Sequence, residues 1–355
     1  MAISSKRNTQ LDGWRGLAVL GVMWQHWTPA SWRGLFPFEI GLYFFLTVSS
    51  FLITRSLLRD KAQGDAEGGK NWRSRAYAVF QKKRALRILV PAYIAMLFAW
   101  ACGSPDIWQH PLYYLTYTVN FHMATMPELP SGTAHYWSLA VQVQFYLLWP
   151  LLIYLTPRRW LVPVLIGVSA LAPLSRLILL HYFPEIISPG AITTSAFDYF
   201  GAGALLALAL DSGSQPGDRR WIRAAWIALL PYVVLYYLDR TGSPVPGVRH
   251  FQQTLVSIVF AGLICATLGG LRGAAGRMLE HPAIQNLGKL SYGIYLFHTP
   301  MPLLVGKILP WLWHPAVPLA ARLPVFFAFS WGAAWLCWRW LEAPLDRIRL
   351  AKRAA

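Results

Sequence analysis

The residues best suited to chemistry lie inside long apolar stretches. Arg15 and His26 stand eleven positions apart in the run Leu11–Pro29. At about 100° per residue this is three helical turns, or about 16 Å of rise, so both share one face. Asp12 lies one turn before Arg15 on the same face. One stripe thus carries a carboxylate, a guanidinium and an imidazole. An imidazole titrates near neutral pH and suits a general base acting on a hydroxyl. Ionisable groups inside a membrane are costly and mark functional candidates. The structural alternative is an arginine snorkelling to lipid phosphate and a histidine bonded to a neighbouring carbonyl.

Two further clusters follow the same logic. Lys82, Lys83, Arg84 and Arg87 precede the apolar run that holds Pro91. Cations at such a place commonly set membrane topology. Arg84 and Arg87, spaced i,i+3 on the following helix, also offer paired guanidinium forks that suit phosphate. Lys83 beside them adds charge. Further on, Ser291, Tyr295 and His298 fall at i, i+4 and i+7, one helical face. An inter-helix polar contact is the alternative there. Asp198 and Arg176 read as a structural pair between two spans, and Glu342 beside Arg339 as an exposed ion pair. Cys102, Cys265 and Cys337 are far apart in apolar runs and read as small core hydrophobes. No phosphate-binding glycine loop, HExxH or GxSxG pattern is present, and no bound metal is expected.

The elements that carry these residues are membrane helices. Of the 355 residues, 55% are hydrophobic and 13% charged, against about 25% charged in a soluble domain. Ten runs are long and apolar enough to span a bilayer: Leu11–Pro29, Gly34–Leu57, Leu86–Gly103, Tyr136–Leu155, Leu161–Tyr182, Ser195–Leu210, Trp221–Leu238, Phe251–Gly270, Leu290–Leu309 and Leu323–Leu341. The stretch Trp108–Met123 is broken by His110, Pro111 and Asn120 and reads as an interfacial or re-entrant segment. With both termini cytoplasmic, 25 of the 32 cations fall on the inner side and five on the outer, as the positive-inside rule requires. The net charge of +17 is therefore a topology signal, and nucleic acid is not an expected partner. The first run has no small-residue cleavage site and reads as a retained span. The inner segment Arg59–Gln81 is expected to be a polar loop. The outer segment Ser104–His135 carries His110, His122, His135, Asp106 and Glu128 but no Lys or Arg. The expectation is an all-α polytopic protein, with residues 1–345 as one transmembrane domain, 346–355 as a cytoplasmic tail, and no internal repeat.

Six segments, in order along nearly the whole chain, resemble the acyltransferase-3 family of integral membrane O-acyltransferases. Leu11–Ala18 followed by His26 is similar to its opening motif, and Gly41–Thr54 to its second helix. Arg84-Ala-Leu-Arg87 with Pro91 resembles its paired-arginine motif. Trp137–Pro150, Leu287–His298 and Leu341–Pro344 resemble its middle, late and closing motifs. The resemblance implies transfer of an acyl group, usually acetyl, from cytoplasmic acyl-CoA to a carbohydrate hydroxyl. It implies essential roles for Arg15 and His26, and donor contacts from Arg84 and Arg87. It also implies a bacterial inner membrane, acetyl-CoA as donor substrate and no tightly bound cofactor. Asp12 and Gln142 join the expected catalytic set, Lys83 the donor site, and Ser291, Tyr295, His298, Trp137 and Glu342 the positioning set. Two positions depart from the family: Gln142 stands where it usually has Glu, and Ser50 where it usually has Gly. Some members carry a fused extracytoplasmic esterase-like domain, and this chain reads as the stand-alone form. A transporter of lipid-linked sugars is a rival expectation, although paired repeats with broken helices are not visible. A catalytically impaired relative acting as a partner, motivated by Gln142, is another.

Overall fold

The structure is a computed structural model that describes residues 8–33, 36–241 and 249–344. The expected tail 346–355 lies outside the described residues. Among those described, every regular element is helical. The long helices are α1 (Thr9–Trp27), α2 (Ile40–Glu67), α3 (Trp72–Arg84), α4 (Val90–Ala101), α5 (Tyr136–Leu155), α6 (Leu161–Tyr182), α7 (Phe197–Asp211), α8 (Arg219–Arg240), α9 (Arg249–Leu268), α10 (Pro282–Phe297), α11 (Met301–Ile308) and α12 (Leu319–Cys337). Eight helical segments among the described residues are long and apolar enough to cross a membrane. The protein is thus all-α and polytopic.

Two of the ten expected runs fall outside those eight, for physical reasons. α1 is a full 19 residues, but Gln10, Asp12, Arg15, Gln25 and His26 lower its hydropathy. The run Leu290–Leu309 is broken: α10 ends at Phe297, and α11 starts at Met301. Pro300 and Pro302 lack the N–H groups that would carry the helix through. The stretch Trp108–Met123 forms no span. It belongs to three short helices, Pro105–Gln109, Pro111–Leu115 and Val119–Ala124.

The expected loop Arg59–Gln81 is instead a helical hairpin. α2 runs on to Glu67 and turns at Gly68, whose left-handed φ of 68° lets its N–H reach the Gly64 carbonyl. α3 begins four residues later. Between α3 and α4 the chain widens into a π turn, Ala85–Leu89. Pro91 has no N–H to close a normal turn on Arg87, and the ladder shifts by one residue.

Close helix contact rests on small residues, as is common in membranes. A Cβ on Gly288 of α10 would overlap the Asp12 carbonyl of α1, and one on Gly16 would stand 2.6 Å from the Ile284 oxygen. The same pair is pinned at its start by Gln285, whose amide donates to the Thr9 carbonyl (2.7 Å). α7 packs on α2 through Gly203, where a Cβ would stand 3.1 Å from Ser50 Cβ. Ser50 fits by donating its hydroxyl to the Phe200 carbonyl. Gly203 opposite it leaves the room that this side chain needs.

Candidate active site

The contact between α1 and α10 joins the site, because each of these helices contributes to both of two polar clusters. The first cluster lines a cavity of about 210 Å³. Arg15 of α1, Ser49 of α2, Arg84 and Arg87 from the π-turn region, Ser138, Gln142 and Tyr146 of α5, and Ser291, Tyr292 and Tyr295 of α10 supply its polar walls. Leu42, Phe45, Leu52 and Ile88 supply apolar wall. Asp12 is buried and holds the Arg15 guanidinium at 3.1 Å. The Arg84 guanidinium lies over the Phe80 and Tyr146 rings, 5.3 and 5.6 Å from their centroids. Tyr292 donates its hydroxyl to the Ile88 carbonyl in the π turn (2.8 Å), fixing the arginine-bearing segment against α10.

Gln142 faces this cavity and not an imidazole. Its amide donates to Ser49 Oγ (2.9 Å) and to Tyr146 Oη (2.6 Å). Ser291 is buried and donates to the Gly288 carbonyl at 2.9 Å.

The second cluster is a group of three histidines. The His26 and His298 rings lie 5.0 Å apart, and His298 and His135 also 5.0 Å. His298 Nδ1 lies 2.7 Å from the Tyr295 carbonyl, and His135 Nδ1 2.6 Å from Thr299 Oγ1. The Nε2 atoms of His298 and His135 are buried without a hydrogen-bond partner. His26 keeps an exposed side chain. Trp27 closes one side by donating its indole N–H to the His298 carbonyl (3.0 Å).

Tyr295 separates the two clusters. Its hydroxyl bonds Ser138 Oγ and donates to the His135 carbonyl (2.9 Å). One side of this pair faces the cavity. On the other, the Tyr295 ring lies 5.2 Å from His135 and 5.6 Å from His298.

The expected residues thus divide. Arg15, Arg84, Arg87, Gln142, Ser291 and Tyr295 meet in the cavity, while His26 and His298 meet beyond it. Lys83 is exposed and does not line the cavity. Trp137 packs against the core cluster, and Glu342 lies in the π turn that ends α12. Neither lines the cavity. Ser49, Ser138 and Tyr146 were not singled out from the sequence; Tyr292 was noted beside Ser291 and Tyr295, and His135 only as one of the ionisable residues of the outer segment. Ser138 and Tyr146 lie in the middle motif and Ser49 in the second-helix motif, but His135 reaches His298 only through the fold.

A family model described as an acyltransferase domain matches residues 8–339. Peptidoglycan O-acetyltransferase OatA of Listeria monocytogenes is 26% identical over 97% of this chain and 56% of its own length. A putative peptidoglycan O-acetyltransferase of Bacillus subtilis, YrhL, is 27% identical over 86% of this chain and 50% of its own. Nodulation protein 10 of Rhizobium leguminosarum is 24% identical over 98% of this chain and 91% of its own. The chain spans about half the length of the two peptidoglycan relatives. No solved structure matches it.

Proposed function

The chain belongs to the acyltransferase-3 family, and on that premise we propose that it is a membrane O-acyltransferase. It moves an acyl group, acetyl first, from acyl-CoA to a hydroxyl of a cell-surface carbohydrate or lipid-linked sugar in a bacterial inner membrane. The observation that carries this reading is the arrangement around one helix pair. Three guanidinium groups border a cavity, and an imidazole cluster lies just past its Tyr295–Ser138 end. Two of the relatives are named for peptidoglycan, which makes a peptidoglycan sugar the first acceptor to try.

The donor is polyanionic. Arg84 and Arg87 receive its phosphates as bidentate forks, and exposed Lys83 adds to the attraction. Arg15, held by Asp12, supports the donor deeper in the cavity. The thioester then lies against Ser291, Ser138 and Tyr295. The acceptor hydroxyl enters on the exposed side of His26. Its oxygen attacks the thioester carbonyl carbon while its proton passes to His26. The C–S bond breaks, and CoA leaves as the thiol with the proton that His26 releases. His298 packs against His26 and sets its orientation. The cavity stops at the Tyr295–Ser138 pair, so that pair parts for the two reactants to meet. The alternative chemistry, in which an acyl-enzyme carries the group across, begins from the same cavity.

The test is acetyl-CoA-dependent release of CoA by membranes holding the protein, with peptidoglycan or glycan extract as acceptor. Wild type is expected to release CoA in proportion to acceptor. His26→Ala is expected to lose about 10²-fold or more in rate, the usual scale for a general base. Sugar movement without CoA release would mean a transporter. Silence in wild type, with another acyltransferase failing when this chain is deleted, would mean a partner protein.

A further inference from the structure

We propose that Asp106, His110 and His122 form a binding site for a divalent transition cation, Zn²⁺ by its ligand set. The site lies in the segment 104–135, outside the cavity and the histidine cluster described above. It is independent of the acyl-transfer reading.

The three side chains come from the succession of short helices Pro105–Gln109, Pro111–Leu115 and Val119–Ala124, with His110 at the first junction. One ligand atom from each lies within 4.8 Å of the others. His122 Nε2 stands 3.6 Å from Asp106 Oδ1. That is too long for a hydrogen bond. It is close to the edge of a tetrahedron around zinc, where bonds of about 2.1 Å put neighbouring ligand atoms about 3.4 Å apart. His122 Nε2 is also buried with no hydrogen-bond partner.

The surroundings are those of a built site. Asp106 is 5% exposed, and no lysine or arginine pairs with it among the described residues. The segment 104–135 contains neither residue type. A buried carboxylate needs positive charge near it, and among the described residues the one cation-forming side chain within 4 Å of Asp106 is the His122 imidazole. The other oxygen of Asp106 accepts from the Tyr114 hydroxyl, which also bonds Thr133 Oγ1 (3.0 Å). Outer partners of this kind orient a metal-binding carboxylate. The Tyr113 ring lies flat on His122, centroids 4.7 Å apart at 6°, and His110 packs on its neighbour at 4.3 Å. Two imidazoles and one carboxylate with an open fourth position suit zinc. The bound ion would staple the three short helices together. Through Tyr114 and Thr133 it would steady the chain that leads into His135.

The competing account is a protonated His122 paired with Asp106, and metal binding separates the two. Tag-free full-length protein in detergent is loaded with ZnCl₂ and desalted. Its zinc is measured by mass spectrometry and its affinity by titration, and melting is followed with and without zinc. Wild type is expected to keep one equivalent and to melt higher with zinc. His110→Gln and His122→Gln are expected to lose the retained zinc and the melting shift. Tyr114→Phe, which removes only the outer partner, is expected to bind about 10-fold more weakly. Glu128→Gln, an exposed acid of the same segment, is expected to bind as wild type does. Should His110→Gln or His122→Gln fail to fold, the wild-type equivalent and the Tyr114→Phe shift decide the matter. Zinc-free wild type after loading overturns the proposal, as does retention unchanged in both histidine variants.

Discussion

Gln142 donates to both Ser49 and Tyr146 from the cavity wall. A glutamate, as is usual at this position in the family, has only acceptors when ionised, so both hydroxyls would turn and donate to it. The geometry survives the exchange, but the charge does not stay neutral. Tyr146 carries the Arg84 guanidinium over its ring, so a carboxylate there competes with donor phosphates for that cation. Gln142→Glu is therefore expected to raise KM for acyl-CoA about 5-fold, near 1 kcal/mol of binding, with kcat within about 2-fold. Steady-state kinetics check this, and a change in kcat alone would move the residue into the chemistry. Arg87→Ala is expected to raise the same KM by about 10-fold or more, the scale of one charged hydrogen bond, and salt should narrow the gap. The shared face of Arg15 and His26 was legible because a helix has a fixed period. Their separation into a cavity and a histidine cluster was not, since Tyr295 and Ser138, which divide them, come from α10 and α5. His135 was opaque for the same reason.

Helix identity was legible from apolar length, and helix ends were not. Arg59–Gln81 reads as a loop by polarity alone. Yet Lys61 pairs with Asp65 at 3.6 Å, and Gln63 with Glu67 at 2.8 Å, both at i,i+4. Such pairs support a helix that has left the membrane. Lys61 also donates to the Tyr154 carbonyl (3.0 Å), tying the extension to the end of α5. Proline effects shifted other boundaries: Pro91 forces the π turn that presents Arg87, and Pro300 ends the helix that presents His298. At this scale α1 against α10 matters most, because both polar clusters straddle that contact. Gly288→Ala places a methyl group against the Asp12 carbonyl. The helices have to part, at a cost of about 1–3 kcal/mol for overpacking. The expected result is a melting temperature lowered by several degrees. Activity should fall more than that loss explains, because Arg15 and Ser291 no longer face one cavity. Melting curves set beside CoA release at low temperature separate the two effects. Equal losses in both would mean that the spacing of these helices does not set the site.

Three helices of the bundle are held by a polar junction that does not line the cavity. Arg176 of α6 is 2% exposed. It donates to Asp198 of α7 at 2.7 Å, to the Ser195 carbonyl and the Gln253 side chain at 2.6 Å each, and to Thr254 of α9 at 3.1 Å. Thr254 in turn donates to Asp198 at 2.9 Å. The pair was legible from two lone charges in apolar runs. The part played by α9 was not, because Gln253 and Thr254 carry no charge to attract notice. Such a junction selects one arrangement of three helices that apolar surface alone would leave free to slide. Breaking one side strands a buried charge, at a cost of about 3–5 kcal/mol, whereas replacing both sides can be close to neutral. Arg176→Met is therefore expected to melt far below wild type. Asp198→Leu is expected to behave similarly, because the guanidinium is then left with neutral partners. The double variant should recover part of the loss but not all, since Gln253 and Thr254 lose partners in any case. A thermal-melting cycle of the four proteins in detergent measures this coupling. Neither residue lines the cavity, so the double variant, once folded, should keep the wild-type KM for acyl-CoA. Additive losses would show that the two charges act separately, and a single variant that melts like wild type would show that the junction does not hold the bundle.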